Sequence, residues 1–276
     1  MLAANSLAGK RVLITGGGSG LGAAMGTRFI ELGAELLVCG RRIDVLAASA
    51  ARWREELCAN VQIFPCDIRD PAQVESMMDK IWEETPLDVL VNNAAATFIA
   101  KTEQLSPRAA DAILAPTLHG TMYCSLGVGR RWIEAQRPGL ILSILSTSTI
   151  TGRAFTVPSA MAKSAVLAMT KSLAVEWGRY GVRLLAIAPG TFPTPGASAQ
   201  LMGGKRKQSA AEARIPLGRV GRHAELAELA AFLVSDAAGF LNGEMVTIDG
   251  GAHLQSSGAE DLLTWSDQDW KDLRKR

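Results

Sequence analysis

The chain has 276 residues, 48% of them apolar, and a formal net charge of +2. That length allows one large α/β domain or two small ones, with enough apolar material for a sizeable core. The near-neutral balance gives no general case for nucleic acid or an anionic membrane surface, and no run of about 18 apolar residues marks a spanning helix.

In chain order, short apolar runs alternate with helical patterns. Strands are predicted at Arg11 to Thr15, Glu35 to Cys39, Val61 to Cys66, Leu87 to Asn92, Gly139 to Ser146, Val182 to Ala188 and Met245 to Asp249. Helices are predicted at Gly20 to Leu32, Ile43 to Leu57, Pro71 to Glu84, Ser106 to Gln136, Ser159 to Tyr180 and His223 to Ser235. Buried strands separated by amphipathic helices imply βαβ units and right-handed crossovers. The expected fold is α/β, a doubly wound parallel sheet of about seven strands with helices on both faces. No repeat or linker divides it, so residues 1–276 are expected to form a single domain. Pro189 to Pro216, rich in Pro, Gly and Ser, reads as a lid over a site. Residues 252–276 read as a C-terminal extension that packs on the body or on a sister subunit, with Arg274-Lys275-Arg276 as an alternative contact for an acidic ligand group.

Four cysteines, Cys39, Cys58, Cys66 and Cys124, lack metal-ligand spacing, so no metal site is expected. Cys39 and Cys66 read as small hydrophobes at buried strand ends. Met1 to Lys10 is too short and polar for a signal peptide, and the expected compartment is the cytoplasm.

The segment Thr15-Gly16-Gly17-Gly18-Ser19-Gly20-Leu21-Gly22 lies between an apolar strand and a helix. Gly16 permits the tight turn, Gly20 a close backbone approach to a pyrophosphate, and Gly22 close helix packing. The helix-start amides around Gly18, Ser19 and Leu21 suit phosphate oxygens. After the second strand, Gly40-Arg41-Arg42 stands where an acid would bind a ribose hydroxyl. Arg41 can instead bond a 2′-phosphate, so NADP(H) is the expected cofactor, the alternative being a solvated helix start. Asp67, followed by Ile68, is placed to meet the adenine or to cap the next helix. Asn93, within Asn92-Asn93-Ala94, is placed to line the adenine ribose.

Together with Ser146, Lys163 and Pro189-Gly190, these motifs resemble the short-chain dehydrogenases/reductases along nearly the whole chain. Cys66-Asp67-Ile68-Arg69-Asp70-Pro71, Leu105-Ser106-Pro107, Val157-Pro158-Ser159-Ala160 and Ser172 to Gly178 are similar to mitochondrial-type 2,4-dienoyl-CoA reductases. The resemblance implies that Lys163 reaches the nicotinamide ribose and that Pro189, Gly190 and Phe192 line the cofactor. It implies substrate contacts at Thr97 and Phe98, a small-molecule substrate such as an acyl-CoA of fatty acid metabolism, and a homotetramer.

The resemblance breaks at the proton-transfer positions. Ser159 stands four residues before Lys163, where most of the family has tyrosine. Ser148 stands where dienoyl reductases have theirs, Thr97 replaces a substrate-contacting asparagine, and His119 replaces a water-relay asparagine. The candidate catalytic set is therefore Lys163, Ser146, Ser148, Ser159 and His119. Ser146 and Ser148, two apart, are expected to alternate along a strand end and face the same way. Lys205-Arg206-Lys207 is either a CoA-phosphate contact or a solvated charge run. A serine cannot protonate an alkoxide as a tyrosine does, but it can donate hydrogen bonds to a thioester oxygen. Three functions follow: a conjugated acyl-CoA reductase, a ketone or alcohol dehydrogenase, or a nucleotide-binding protein without turnover.

Overall fold

A computed structural model describes residues 2–194, 196, 209, 212–255 and 260–273. Among them, β1 (Arg11–Thr15), β2 (Glu35–Gly40), β3 (Val61–Pro65), β4 (Val89–Asn92), β5 (Gly139–Ile144), β6 (Val182–Pro189) and β7 (Met245–Ile248) form one sheet. Its order is β3-β2-β1-β4-β5-β6-β7, and all neighbouring pairs are parallel. Chain order reverses between β1 and β4, so a crevice opens beyond their C-terminal ends.

The central strands are buried from end to end because helices cover both faces. On one face lie α1 (Gly20–Glu31), α2 (Ile43–Leu57) and α8 (His223–Val234). Their Met25, Phe29, Leu46, Trp53 and Leu226 pack with Val12, Ile14, Leu36 and Val38. On the other lie α3 (Pro71–Glu84), α5 (Gly120–Glu134) and α7 (Val157–Trp177). There Met78, Ile81, Cys124, Trp132 and Trp177 meet Leu13, Leu37, Leu90 and Ile141. Shorter helices are α4 (Pro107–Leu114), α6 (Ser148–Thr151) and α9 (Asp267–Leu273).

Local chemistry sets the helix starts. Asp70 accepts from the amides of Ala72 and Gln73 ahead of α3, and Ser106 accepts from Ala109 ahead of α4. Each is followed by a proline, which fits a first helical position.

The middle helix departs from expectation. In place of one helix from Ser106 to Gln136, a π-turn at Ala115–His119 separates α4 from α5. Pro116 has no N–H to return and its ring needs room, so the chain widens there. The Gly120 amide donates to Ala115 O, five residues back. Buried Thr117 ties the turn to Ala96, accepting from its amide and donating to its carbonyl.

The second correction concerns Ser146 and Ser148. Thr147 takes helical angles, so Ser148 opens α6 and the two serines are not on one alternating strand face. A turn brings them together instead, with Ser148 N–H donating to Ser146 Oγ at 3.2 Å.

Residues 260–273 of the C-terminal extension are largely exposed, Leu263 at 76%. Trp265 and Trp270 pack against each other with rings tilted by 56° and centroids 5.1 Å apart. Glu260, Leu262 and Trp265 are half-buried within the single chain, and packing on a sister subunit stays a proposal. Arg274-Lys275-Arg276 lies outside the described residues.

Trp132 is fully buried, donates to Leu87 O at 2.6 Å and leaves no room for a Cβ at Gly139. Trp132→Ala is expected to lower the unfolding free energy by about 3–5 kcal/mol, read from urea denaturation.

Candidate active site

The glycine loop is shaped by its neighbours. Gly16 takes φ +66° after β1, a left-handed turn that favours glycine. A Cβ on Gly22 would lie 2.6 Å from both Gly16 O and Asn93 Nδ2, so α1 starts in direct contact with the loop. Asn93 braces this arrangement, its Nδ2 donating to Thr15 O at 3.0 Å and Gly16 O at 3.2 Å. Its side-chain N–H groups thus hold the loop rather than project toward a ribose.

Ser19 precedes α1 in extended conformation and makes no side-chain cap. The first amides of α1 therefore lack a side-chain acceptor and carry the helix's partial positive charge. Gly20 is left-handed (φ +54°), and a Cβ there would come 3.2 Å from Thr194 Cγ2. The sequence reading treats Thr194 only as part of a lid; the structure brings it to the loop. Its signal is position, five residues beyond the end of β6.

At the far end of the crevice Arg41 is exposed just after β2. Asp67 accepts from Arg69 Nε at 2.9 Å, and that bonded guanidinium holds its carboxyl below the usual range. Capping of α3 belongs to Asp70, which removes that alternative for Asp67. Ile68 turns its side chain into the interior, within 2.6 Å of where a Gly120 Cβ would stand. Ile68 is only 6% exposed, so its side chain is not presented to the crevice. The same correction applies to Phe192, which is only 9% exposed and packs its ring beside Gly221 in the α1/α8 core. Gly190 lies beside β7, since a Cβ there would sit 2.5 Å from Asp249 Cβ.

With a left-handed turn, uncapped helix amides and an exposed arginine along one sheet edge, the residues fit a phosphorylated dinucleotide. A groove of about 530 Å³ also meets Gly18 and Gly20, but runs over the outer side of α1 toward Thr27, Arg52 and His223. Its walls include none of Lys163, Ser146, Ser148 and Ser159, so its size is no guide to the chemistry.

Lys163 is buried on α7 and donates to Ile144 O, at the end of β5, at 2.5 Å. No carboxylate pairs with it among the described residues. Burial pushes its pKa from 10.5 down to about 8. Beyond Ile144, Ser146 Oγ accepts from Ser148 N and remains free to donate its own proton. Ser148 is buried, while Ser159 is half-buried one helical turn before Lys163.

His119 is less central than expected. It ends the π-turn as an exposed residue, its ring centroid 6.3 Å from that of Tyr123. Thr97 and Phe98 are half-buried in the segment after β4 that Thr117 anchors. Most of the expected lid, residues 195, 197–208 and 210–211 with Lys205-Arg206-Lys207, lies outside the described residues.

A family model described as Enoyl-(Acyl carrier protein) reductase matches residues 16–253. The "Probable 2,4-dienoyl-CoA reductase 3" of Caenorhabditis elegans is 39% identical over 276 residues, covering 97% of this chain and 89% of that protein. A "Probable 2,4-dienoyl-CoA reductase" of Bacillus subtilis is 39% identical, covering 89% and 97%. Among solved structures, a gluconate 5-dehydrogenase from Burkholderia cenocepacia in complex with NADP and tartrate is 32% identical. It superposes with a TM-score of 0.83 over 89% of this chain and 96% of that one.

The burial of Lys163 has a measurable consequence. Its folded pKa is lowered, so the unfolded chain binds more protons between about pH 8 and 10.5, and stability rises with pH across that window. Lys163→Met is expected to flatten this rise and to stabilise the nucleotide-free protein at neutral pH, measured by thermal unfolding across the pH range.

Proposed function

The chain belongs to the short-chain dehydrogenase/reductase family, and on that premise we propose that it is an NADP(H)-dependent reductase of conjugated acyl thioesters, of the 2,4-dienoyl-CoA type. The observation that carries this reading is a buried lysine hydrogen-bonded to Ile144 O, with Ser159 one turn before it on α7 and Ser146 two residues past Ile144, and no phenol at either tyrosine position. Tyr123 and Tyr180 lie elsewhere, Tyr123 beside the His119 ring and Tyr180 exposed.

The glycine loop, the α1 amides and Gly190 would hold the cofactor, with Lys163 at its nicotinamide ribose and Arg41 at a 2′-phosphate. Asp67 and the main chain of Ile68 and Phe192 would complete that surface. When bound, the cofactor supplies a hydride. Ser146, Ser148 and Ser159 donate hydrogen bonds to the thioester oxygen, where negative charge gathers as the conjugated system is reduced. Lys163 in its ammonium form adds charge stabilisation from a site of low dielectric. Thr97 and Phe98 position the substrate. Water supplies the proton at carbon, and exposed His119 can relay it. Direct carbonyl reduction asks more of the site, because a nascent alkoxide must be protonated and serine titrates too high to do so.

The second reading, a ketone or alcohol dehydrogenase, draws on the gluconate 5-dehydrogenase likeness. The third, nucleotide binding without turnover, draws on the missing phenols. In all three the chain is a single nucleotide-binding domain with a substrate lid and a C-terminal extension. Its free cysteines suit a reducing compartment such as the cytoplasm, and no described helix is long and apolar enough to cross a membrane. Exposed Leu126 on α5, Val175 on α7 and Phe240 before β7 favour assembly of like subunits into a tetramer.

Two measurements test this account. Arg41→Ala is expected to weaken NADPH binding about tenfold or more while leaving NADH affinity unchanged, by fluorescence titration. The unmodified protein is expected to oxidise NADPH in the presence of 2,4-hexadienoyl-CoA. Tight NADPH binding with no turnover of that thioester at saturation would favour the third reading, and turnover of a ketone instead the second.

A further inference from the structure

Phe155 carries two local costs at one position. Its φ is +64°, a left-handed conformation that a bulky side chain rarely adopts, and 55% of its surface is exposed. Asparagine or glycine would hold the same turn with less strain, and neither would leave an aromatic ring in water. The residue sits between Ser148 and Ser159 in sequence, in the segment that joins α6 to α7. Its carbonyl accepts from the Ala100 amide at 3.0 Å, which joins that segment to the one following β4.

The two joined segments share a composition. Residues 94–100 contain no charged side chain, and residues 145–162 contain only Arg153. At this seam Ile99 is 40% exposed, and Ile150 at the end of the same α6 segment is 49% exposed. Hydroxyl side chains are present in both segments and frequent in residues 145–162, and beside them exposed Phe155, Ile99 and Ile150 offer apolar surface that a hydrocarbon chain would bury.

We infer that Phe155, with Ile99 across the seam, forms the seat for the apolar chain of the substrate and sets the preferred chain length. The thioester end meets the serines and Lys163 while the hydrocarbon tail runs out over the ring. Binding of the tail covers the ring and offsets the strain of presenting it. This inference rests on the acyl-thioester reading above, and it adds a chain-length gauge which that reading does not contain.

The test is calorimetric and needs no turnover. Hexanoyl-CoA and decanoyl-CoA are titrated into the NADP-loaded full-length protein and into Phe155→Asn and Phe155→Ala. Asparagine tolerates the left-handed turn, so it removes the ring while keeping the backbone. The unmodified protein is expected to bind decanoyl-CoA at least about tenfold more tightly than hexanoyl-CoA, and both variants to bring that ratio close to one. An unchanged ratio in Phe155→Asn would overturn the assignment. So would an equal loss for both thioesters accompanied by a change in sedimentation, which would make Phe155 a subunit contact. If the ratio behaves as expected but no dienoyl thioester is reduced, the reaction assignment fails and the chain seat stands.

Discussion

A lysine ammonium buried at the end of β5, with a backbone carbonyl as its acceptor and no carboxylate paired with it among the described residues, is the constraint on which this site turns. Burying a cation without a counter-ion is costly, and here the cost shows as a pKa pushed down to about 8. A purely structural position would favour leucine or methionine. The lysine is intelligible when anionic or hydroxyl-bearing groups arrive from outside the protomer to share the cavity. In the proposed function the first of these is a nucleotide held at α1, which begins with amides that Ser19 does not cap.

The doubly wound sheet brings these parts together. Loops after β1, β4, β5 and β6 all leave the same edge, so residues separated by more than a hundred positions meet over one crevice. Asn93 and Gly22 press the glycine loop into shape, Thr117 pins the segment after β4, and the Thr147 turn folds Ser148 back over Ser146. What the edge lacks is a phenol. With hydroxyls that donate but do not readily ionise, the site suits a reaction whose charge spreads over a conjugated system better than one that leaves an alkoxide.

Much of this was legible in the sequence. Strand runs such as Val12-Leu13-Ile14 and Val89-Leu90-Val91 are uniformly apolar because both sheet faces are covered, and that pattern cannot be mistaken for a solvated strand. Glycine positions were legible because Gly16 requires a left-handed turn and Gly22 a close approach. Side-chain direction at strand ends was not. Ser148 falls where a two-residue alternation reads naturally, and only the turn at Thr147 moves it into α6. Phe192 and Ile68 occupy positions that the family likeness assigns to the cofactor, yet both are buried and packed in the hydrophobic interior. The π-turn at Pro116 hid inside an otherwise regular helical pattern, because proline predicts a break without saying how the chain resolves it. Phe155 was invisible for a related reason, since no side-chain pattern announces a left-handed phenylalanine.

The account therefore reduces to the state of one amine. Carbon-13 labelling of the lysine ε positions, followed by NMR titration of the nucleotide-free protein, reads that state directly. The account predicts a resonance with a midpoint near pH 8 that is absent from the Lys163→Met spectrum. If the resonance lost in Lys163→Met instead titrates at the ordinary lysine value of 10.5, Lys163 is hydrated and the buried centre described here does not exist.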